Sequence, residues 1–178
     1  MSVENNPSMK KVKHFIFEWL IPIALALIIA LLIRHFVAFT FNVPTTSMYP
    51  TINAGDFGIA TKVYNKNSLK RGDVVVFKSE ELNMVLVKRL IGLPGDKVSI
   101  KDNGDVYVNG EKLQEDYVKN PGGIGGDYEV PANCFFFLGD NRKDSLDARY
   151  WATKYIPFGF VDGKAQFILF PFNRISKL

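Results

Sequence analysis

Cysteine occurs once in this chain and histidine twice. The single cysteine, Cys134, excludes an internal disulfide and any cysteine-built metal site. It lies in the run Cys134-Phe135-Phe136-Phe137-Leu138 and reads as a small buried hydrophobe. The two histidines, His14 and His35, flank a long apolar segment, and none follows it. Their absence downstream excludes a Ser-His-Asp triad and a histidine-bound zinc there. Hydrolytic chemistry in that region must use another kind of base, and neither a metal nor another cofactor is expected. A basic stripe is also missing. The net charge is +4, half of it within residues 1–35, and the rest is spread over a region that alternates in sign. Nucleic acid is therefore not an expected partner. Repeats and low-complexity tracts are absent as well.

The chain has 178 residues, which suits one domain with an appendage. Apolar residues make up 47% and charged residues 22%, a globular balance and not a disordered one. Phe15 to Ile33 forms an apolar run of 19 residues whose one charge, Glu18, lies near its start. As a helix it would rise about 28 Å, enough for a hydrocarbon core of about 30 Å. Pro22 is tolerable in the first turns and Trp19 suits an interface. A cleaved secretory signal would carry a shorter run, about 7–15 residues, and end in small residues. Arg34-His35-Phe36 follows here instead, which favours a retained anchor. Lys10, Lys11 and Lys13 outweigh Arg34, so the N-terminus is expected in the cytoplasm and residues 36–178 outside.

Beyond the anchor the pattern has period two. Strands are expected at Phe57–Val63, Asp73–Lys78, Met84–Ile91, Lys97–Ile100, Phe135–Leu138 and Gly163–Phe170. Val106-Tyr107-Val108, Asn109-Gly110 and Glu111–Leu113 spell a hairpin, because Asn-Gly accepts the positive φ of a tight turn. Asn120–Gly126 reads as a flexible connection. Short strands at this spacing mean a β-rich barrel or sandwich. Aromatics concentrate at Phe36, Phe39 and Phe41, at Phe158 and Phe160, and at Phe170 and Phe172. They form either ordinary core or an apolar face resting on a bilayer.

Three stretches could carry chemistry. In Val43-Pro44-Thr45-Thr46-Ser47-Met48-Tyr49-Pro50-Thr51, two prolines stiffen the chain on either side of a hydroxyl. Ser47 is a candidate nucleophile or an ordinary turn residue. In Met84–Ile91, alternation sets Leu86, Lys88 and Leu90 on one face and Val85, Val87, Arg89 and Ile91 on the other. One of the two cations then shares a face with buried neighbours, unless both snorkel at a strand edge. A desolvated lysine has a lowered pKa and can take a proton from a serine hydroxyl. The third stretch, Leu138–Trp151, is a dense polar loop. Opposite charges two apart, Asp140 with Arg142 and Asp147 with Arg149, suggest ion pairs within it, and Ser145 could orient an amine.

In order, and after one anchor, TTSMYPT, VKRLIGLPGD and GDNRKDSLDARYW resemble the motifs of bacterial type I signal peptidases. The soluble self-cleaving repressor proteases share a Ser/Lys pair but lack the anchor and the GDNR-type loop. The resemblance implies a mostly β fold of coiled sheets with one N-terminal transmembrane helix. Residues 1–14 would be a cytoplasmic tail, 15–35 the anchor and 36–178 the extracytoplasmic catalytic domain, with a smaller subdomain inserted at about 97–129. Ser47 matches the nucleophile, Lys88 the general base and Ser145 the hydroxyl that orients the amine. Asp147 and Arg149 match a supporting ion pair, and Asp140 and Arg142 the start of that loop. The Ser47 backbone N–H and Thr45 match the oxyanion donors. Val43, Met48 and Val87 match the lining of a small substrate pocket. Ala148 and Asp144 depart from the usual serine and asparagine. The implied activity is removal of signal peptides from preproteins through an acyl-enzyme, at the cytoplasmic membrane and near the secretion translocon.

Overall fold

The computed structural model describes residues 13–178. Most of the tail expected at 1–14, with Lys10 and Lys11, lies outside the described residues. Two compact units divide after Ala38.

The first unit holds one helix, α1 (Lys13–Phe36), long and apolar enough to cross a membrane. It widens to π geometry at Ile16–Leu20, where the Ile21 N–H reaches the Ile16 carbonyl. Pro22 follows directly. A proline cannot donate to the carbonyl four residues back and its ring crowds it, so the wider turn relieves both problems. Glu18 has His14 one turn before it, with Nδ1 2.8 Å from Oε2. No residue of the stretch Ile21–Phe36 is buried.

The second unit is built from strands β1 (Ala38–Asn42), β2 (Phe57–Lys62), β3 (Val74–Ser79), β4 (Met84–Gly92), β5 (Lys97–Ile100) and β6 (Val106–Val108). After them come β7 (Glu111–Lys112), β8 (Gly126–Glu129), β9 (Cys134–Leu138), β10 (Ile156–Pro157), β11 (Val161–Phe170) and β12 (Ser176–Lys177). The large sheet runs β1-β2-β11-β3-β4-β9-β10, with β12 on the far half of β11. The small sheet runs β7-β6-β5-β8. The pairings among β2 to β12 are all antiparallel.

Central β3 explains its own sequence. Val75 and Phe77 enter one apolar cluster and Val74 and Val76 another, so Val-Val-Val-Phe is buried on both faces. The first cluster joins the sheets: it takes Val98, Ile100, Val106 and Val108 from the small one and Phe135, Phe136 and Phe137 from β9. Phe77 stacks on Phe137 with centroids 4.3 Å apart. The chain passes between the sheets just after Gly92. A Cβ at that position would lie 2.7 Å from Val130 Cγ2 and 2.9 Å from Phe136 Cβ, so a bare backbone is required there.

Several expectations are revised. Lys88 and Arg89 do not divide into a buried and an exposed face, because both are buried. β4 lies between β3 and β9, and its inner half is covered on both sides. Cys134 is half-buried at the start of β9. The aromatics split: Phe41 is core in the second cluster, Phe158 and Phe160 are partly buried against the first, and Phe170 and Phe172 are exposed.

Candidate active site

Ser47 lies in the connection from β1 to β2. Its turn is closed by the Tyr49 N–H donating to the Thr46 carbonyl (3.0 Å) and the Ile52 N–H donating to the Met48 carbonyl (2.9 Å). Met48 and Ile52 are wholly buried and peg the turn to the second cluster. The base of the connection is clamped where the Val43 N–H donates to the Asp56 carbonyl (3.0 Å) and the Gly55 N–H to the Val43 carbonyl (2.7 Å). The serine is thus held on a rigid support. Val43 and Met48 are buried in that second cluster and Val87 packs against it, so the three expected pocket residues share one apolar body.

Lys88 comes from β4, paired with Val75. Only 4% of it is exposed, and its amine donates a hydrogen bond to Ser47 Oγ. Burial lowers the amine from its ordinary value of 10.5 to about 8; Asp147 and Asp140 pull it back up and Arg149 pushes it down. Thr45 Oγ1 stands 3.2 Å from Ser47 Oγ. At neutral pH a usable fraction of this lysine is an amine with a free lone pair, facing a hydroxyl.

The polar loop follows β9. Arg89 pairs with Leu138, so the start of the loop, Gly139, arrives at the level of Lys88. A Cβ on Gly139 would overlap both Ser145 Oγ and the Ser47 carbonyl, so glycine lets the three segments meet. The Asn141 N–H donates to the Ser47 carbonyl (3.1 Å) and the Asn141 side-chain amide to the Thr46 carbonyl (3.2 Å). Asp147 and Arg149 form a fully buried pair at 2.8 Å. Asp147 also accepts from the Gly139 N–H (3.0 Å), and Arg149 donates to the carbonyls of Gly122 (2.8 Å) and Arg142 (2.5 Å). Ser145 Oγ is buried beside Gly139 with no hydrogen-bond partner among the described residues.

One expected pair is replaced. Asp140 does not pair with Arg142. It receives a two-pronged bond from Arg89 (2.7 and 2.6 Å) and one from Thr51 Oγ1 (2.5 Å). Arg142 turns to Glu115. Both Asp140 oxygens are taken by Arg89 and Thr51, and Arg142 finds its counter-charge in Glu115, from another segment.

The Signal peptidase, peptidase S26 family model matches residues 16–170. A signal peptidase I of Bacillus licheniformis is 41% identical over 177 residues, covering 93% of this chain and 94% of that protein. The chain belongs to the signal peptidase I family. Signal peptidase I T of Bacillus subtilis is 38% identical over 94% of this chain and 92% of its own length. The signal peptidase I of Leptolyngbya laminosa is 37% identical over 96% and 88%. A crystal structure of a signal peptidase I from Enterococcus faecalis aligns at 32% identity with a TM-score of 0.47, covering 54% of this chain and 95% of that one.

As a member of the signal peptidase I family the chain is a serine peptidase, and membership implies cleavage of signal peptides. Its two departures fall at quiet places. Ala148 is buried in the first cluster, and Asp144 accepts from the Asn120 side-chain amide at 3.1 Å. Thr51, Asn141, Glu115 and Tyr117 were not singled out by sequence reasoning. Thr51 and Asn141 lie inside quoted motifs and could have been found there. Glu115 and Tyr117 sit in Leu113–Val118, whose pattern carries no signal.

Proposed function

We propose that the protein removes signal peptides from preproteins by a Ser47/Lys88 dyad through an acyl-enzyme. The observation that carries this reading is the hydrogen bond between the Lys88 amine and Ser47 Oγ, made by a lysine whose burial lowers its pKa to about 8. At pH 7 about one amine in ten is then neutral, against fewer than about one in a thousand for an ordinary lysine. Substrate covering the site desolvates the amine further.

Neutral Lys88 takes the Ser47 proton as Oγ bonds to the scissile carbonyl carbon. The Ser47 N–H and the Thr45 hydroxyl stabilise the oxyanion. The intermediate collapses, the C–N bond breaks, and the Lys88 ammonium gives its proton to the leaving amine. A water then gives a proton to Lys88 and attacks the ester. Breaking the ester bond returns Oγ and the proton to Ser47. The part of orienting the amine is assigned to Ser145, whose hydroxyl is buried beside Gly139 and makes no other hydrogen bond among the described residues. The Asp147–Arg149 and Arg89–Asp140 pairs hold the two sides of the loop.

Helix α1 is apolar on all sides with no buried residue, which suits lipid as its solvent. It serves as the single-pass anchor in the cytoplasmic membrane. The charge bias at its ends orients the β domain outward, near the translocon that delivers preproteins. The deciding experiment incubates full-length protein in detergent with a model preprotein, beside Ser47→Ala. One defined cut by the wild type, and a loss of at least about 10⁴-fold in the folded variant, is expected. A variant that still cuts would remove Ser47 from the mechanism. In intact spheroplasts, added protease should reach the segment 120–126, and protection there would reverse the orientation.

A further inference from the structure

The segment between β7 and β8 belongs to the small sheet by connectivity, yet two of its side chains reach the arginines around the proposed dyad. Glu115 accepts from both terminal nitrogens of Arg142, at 2.8 Å for Nη1. The Tyr117 hydroxyl donates to the same carboxylate at 2.7 Å. The Tyr117 ring lies under the Arg89 guanidinium, 3.9 Å from ring centre to Cζ. Arg142 is only 2% exposed, so Glu115 is the counter-charge of a buried cation.

Both arginines reach the backbone that carries or neighbours the reacting groups. Arg89 is the residue after Lys88 on β4 and holds Asp140 by two bonds. Arg142 Nε donates to the Gly139 carbonyl at 2.9 Å, and Gly139 is the point where Ser145 and the Ser47 carbonyl converge. Glu115 and Tyr117 thus tie the backbone beside Lys88 to the backbone beside Ser47. Tyr117 is half-buried, and burial followed by the neighbouring Glu115 charge raises its phenol pKa well above the usual tyrosine range. Its hydroxyl therefore stays protonated, and a donor, at any pH at which the enzyme works.

We propose that Glu115 and Tyr117 are positioning residues for the peptidase, a strap from the small sheet that holds Arg89 and Arg142 and so fixes the Lys88 amine against Ser47. This rests on the Ser47/Lys88 reading. It gives the small sheet a part in the rate of the reaction, since misplacing reacting groups by about 1 Å costs on the order of 100-fold. Neither side chain touches substrate or the transferred proton.

The test uses full-length protein in detergent with Tyr117→Leu, Tyr117→Phe and Glu115→Gln, and reads kcat, KM and the pH dependence of kcat/KM. Tyr117→Leu should lower kcat by about 10–100-fold with KM within about twofold. The acid limb should move to higher pH, because loosening the Arg89–Asp140 pair admits water to the Lys88 amine. The charged groups facing that amine are Asp147, Asp140 and Arg149, and all three are unchanged in these variants. Tyr117→Phe keeps the ring over Arg89 and should stay within about threefold of wild type. Glu115→Gln leaves Arg142 without a counter-charge and should cost about tenfold in kcat. If Tyr117→Leu does not fold, Glu115→Gln decides. A folded Tyr117→Leu or Glu115→Gln with wild-type kcat and an unmoved acid limb overturns the proposal. A wild-type enzyme whose rate does not rise with pH, or an active Ser47→Ala control, would instead defeat the dyad on which it rests.

Discussion

Arg142 gives its charge to Glu115, 27 residues away in the chain, and not to Asp140, two residues before it. Asp140 is left to Arg89 on β4. The two charges of one loop start are therefore shared between the large sheet and the small one. A double-mutant cycle on unfolding free energy reads this directly. Arg142→Ala with Glu115→Ala should show coupling of about 1–3 kcal/mol, the range for contacting buried charges. Arg142→Ala with Asp140→Ala should show the smaller coupling of the two, since these charges share a neighbourhood but no hydrogen bond. The reverse pattern would restore the pairing suggested by adjacency.

The contrast marks what was legible. Strands β2, β3, β4, β5, β9 and β11 were expected to within a few residues, because each presents a run or alternation of branched and aromatic side chains. β8 was missed: Gly126-Asp127-Tyr128-Glu129 has one apolar residue and follows a glycine-rich stretch. β10 and β12 are two residues long and exist only because a neighbour pairs with them. In the site, Ser47 and Lys88 are only candidates by their local sequence, and the family resemblance is what selects them as a pair. Their contact depends on β3 and β9 enclosing β4, and no local pattern reports that. Ion-pair partners were half legible: Asp147 pairs with Arg149 as adjacency suggests, whereas Asp140 and Arg142 take the opposite charges that the tertiary fold delivers.

Ser145 carries a prediction in which activity and stability part. Its hydroxyl is buried without a partner among the described residues, so Ser145→Ala removes an unmet polar group. Such a change is near neutral for folding, or stabilising by about 1 kcal/mol. Activity should nevertheless fall by about 10–1000-fold, the scale for groups that orient a catalytic side chain. Thermal unfolding and preprotein cleavage on the same sample check both halves. Wild-type activity in the variant would place Ser145 outside the site.

The last prediction concerns Lys88 and pH. Burial lowers its folded pKa to about 8, whereas the unfolded chain keeps the ordinary value of 10.5. In the proposed dyad the ammonium is the inactive form, so kcat/KM should rise with pH and level off above about 8. Stability follows from the same shift. Between the two values the unfolded chain holds a proton that the folded chain does not, so stability increases with pH across that window. It is greatest above about pH 10.5, where Lys88 is neutral in both states, and is lost as pH falls to about 8. The amount is on the order of 3 kcal/mol, reduced by whatever water reaches the site. Lys88→Met replaces the amine with an apolar chain of similar length and removes this penalty. It should be inactive at every pH and more stable than wild type at pH 7, with the advantage shrinking toward pH 10.5. Lys88→Arg should also be inactive, since a guanidinium cannot act as a base in this range. Rate profiles and urea unfolding at pH 7, 9 and 10.5 measure all of this. A Lys88→Met or Lys88→Arg enzyme that cleaves at near wild-type rate would end the case for a lysine base and turn attention to Asp140, Asp144 or Asp147.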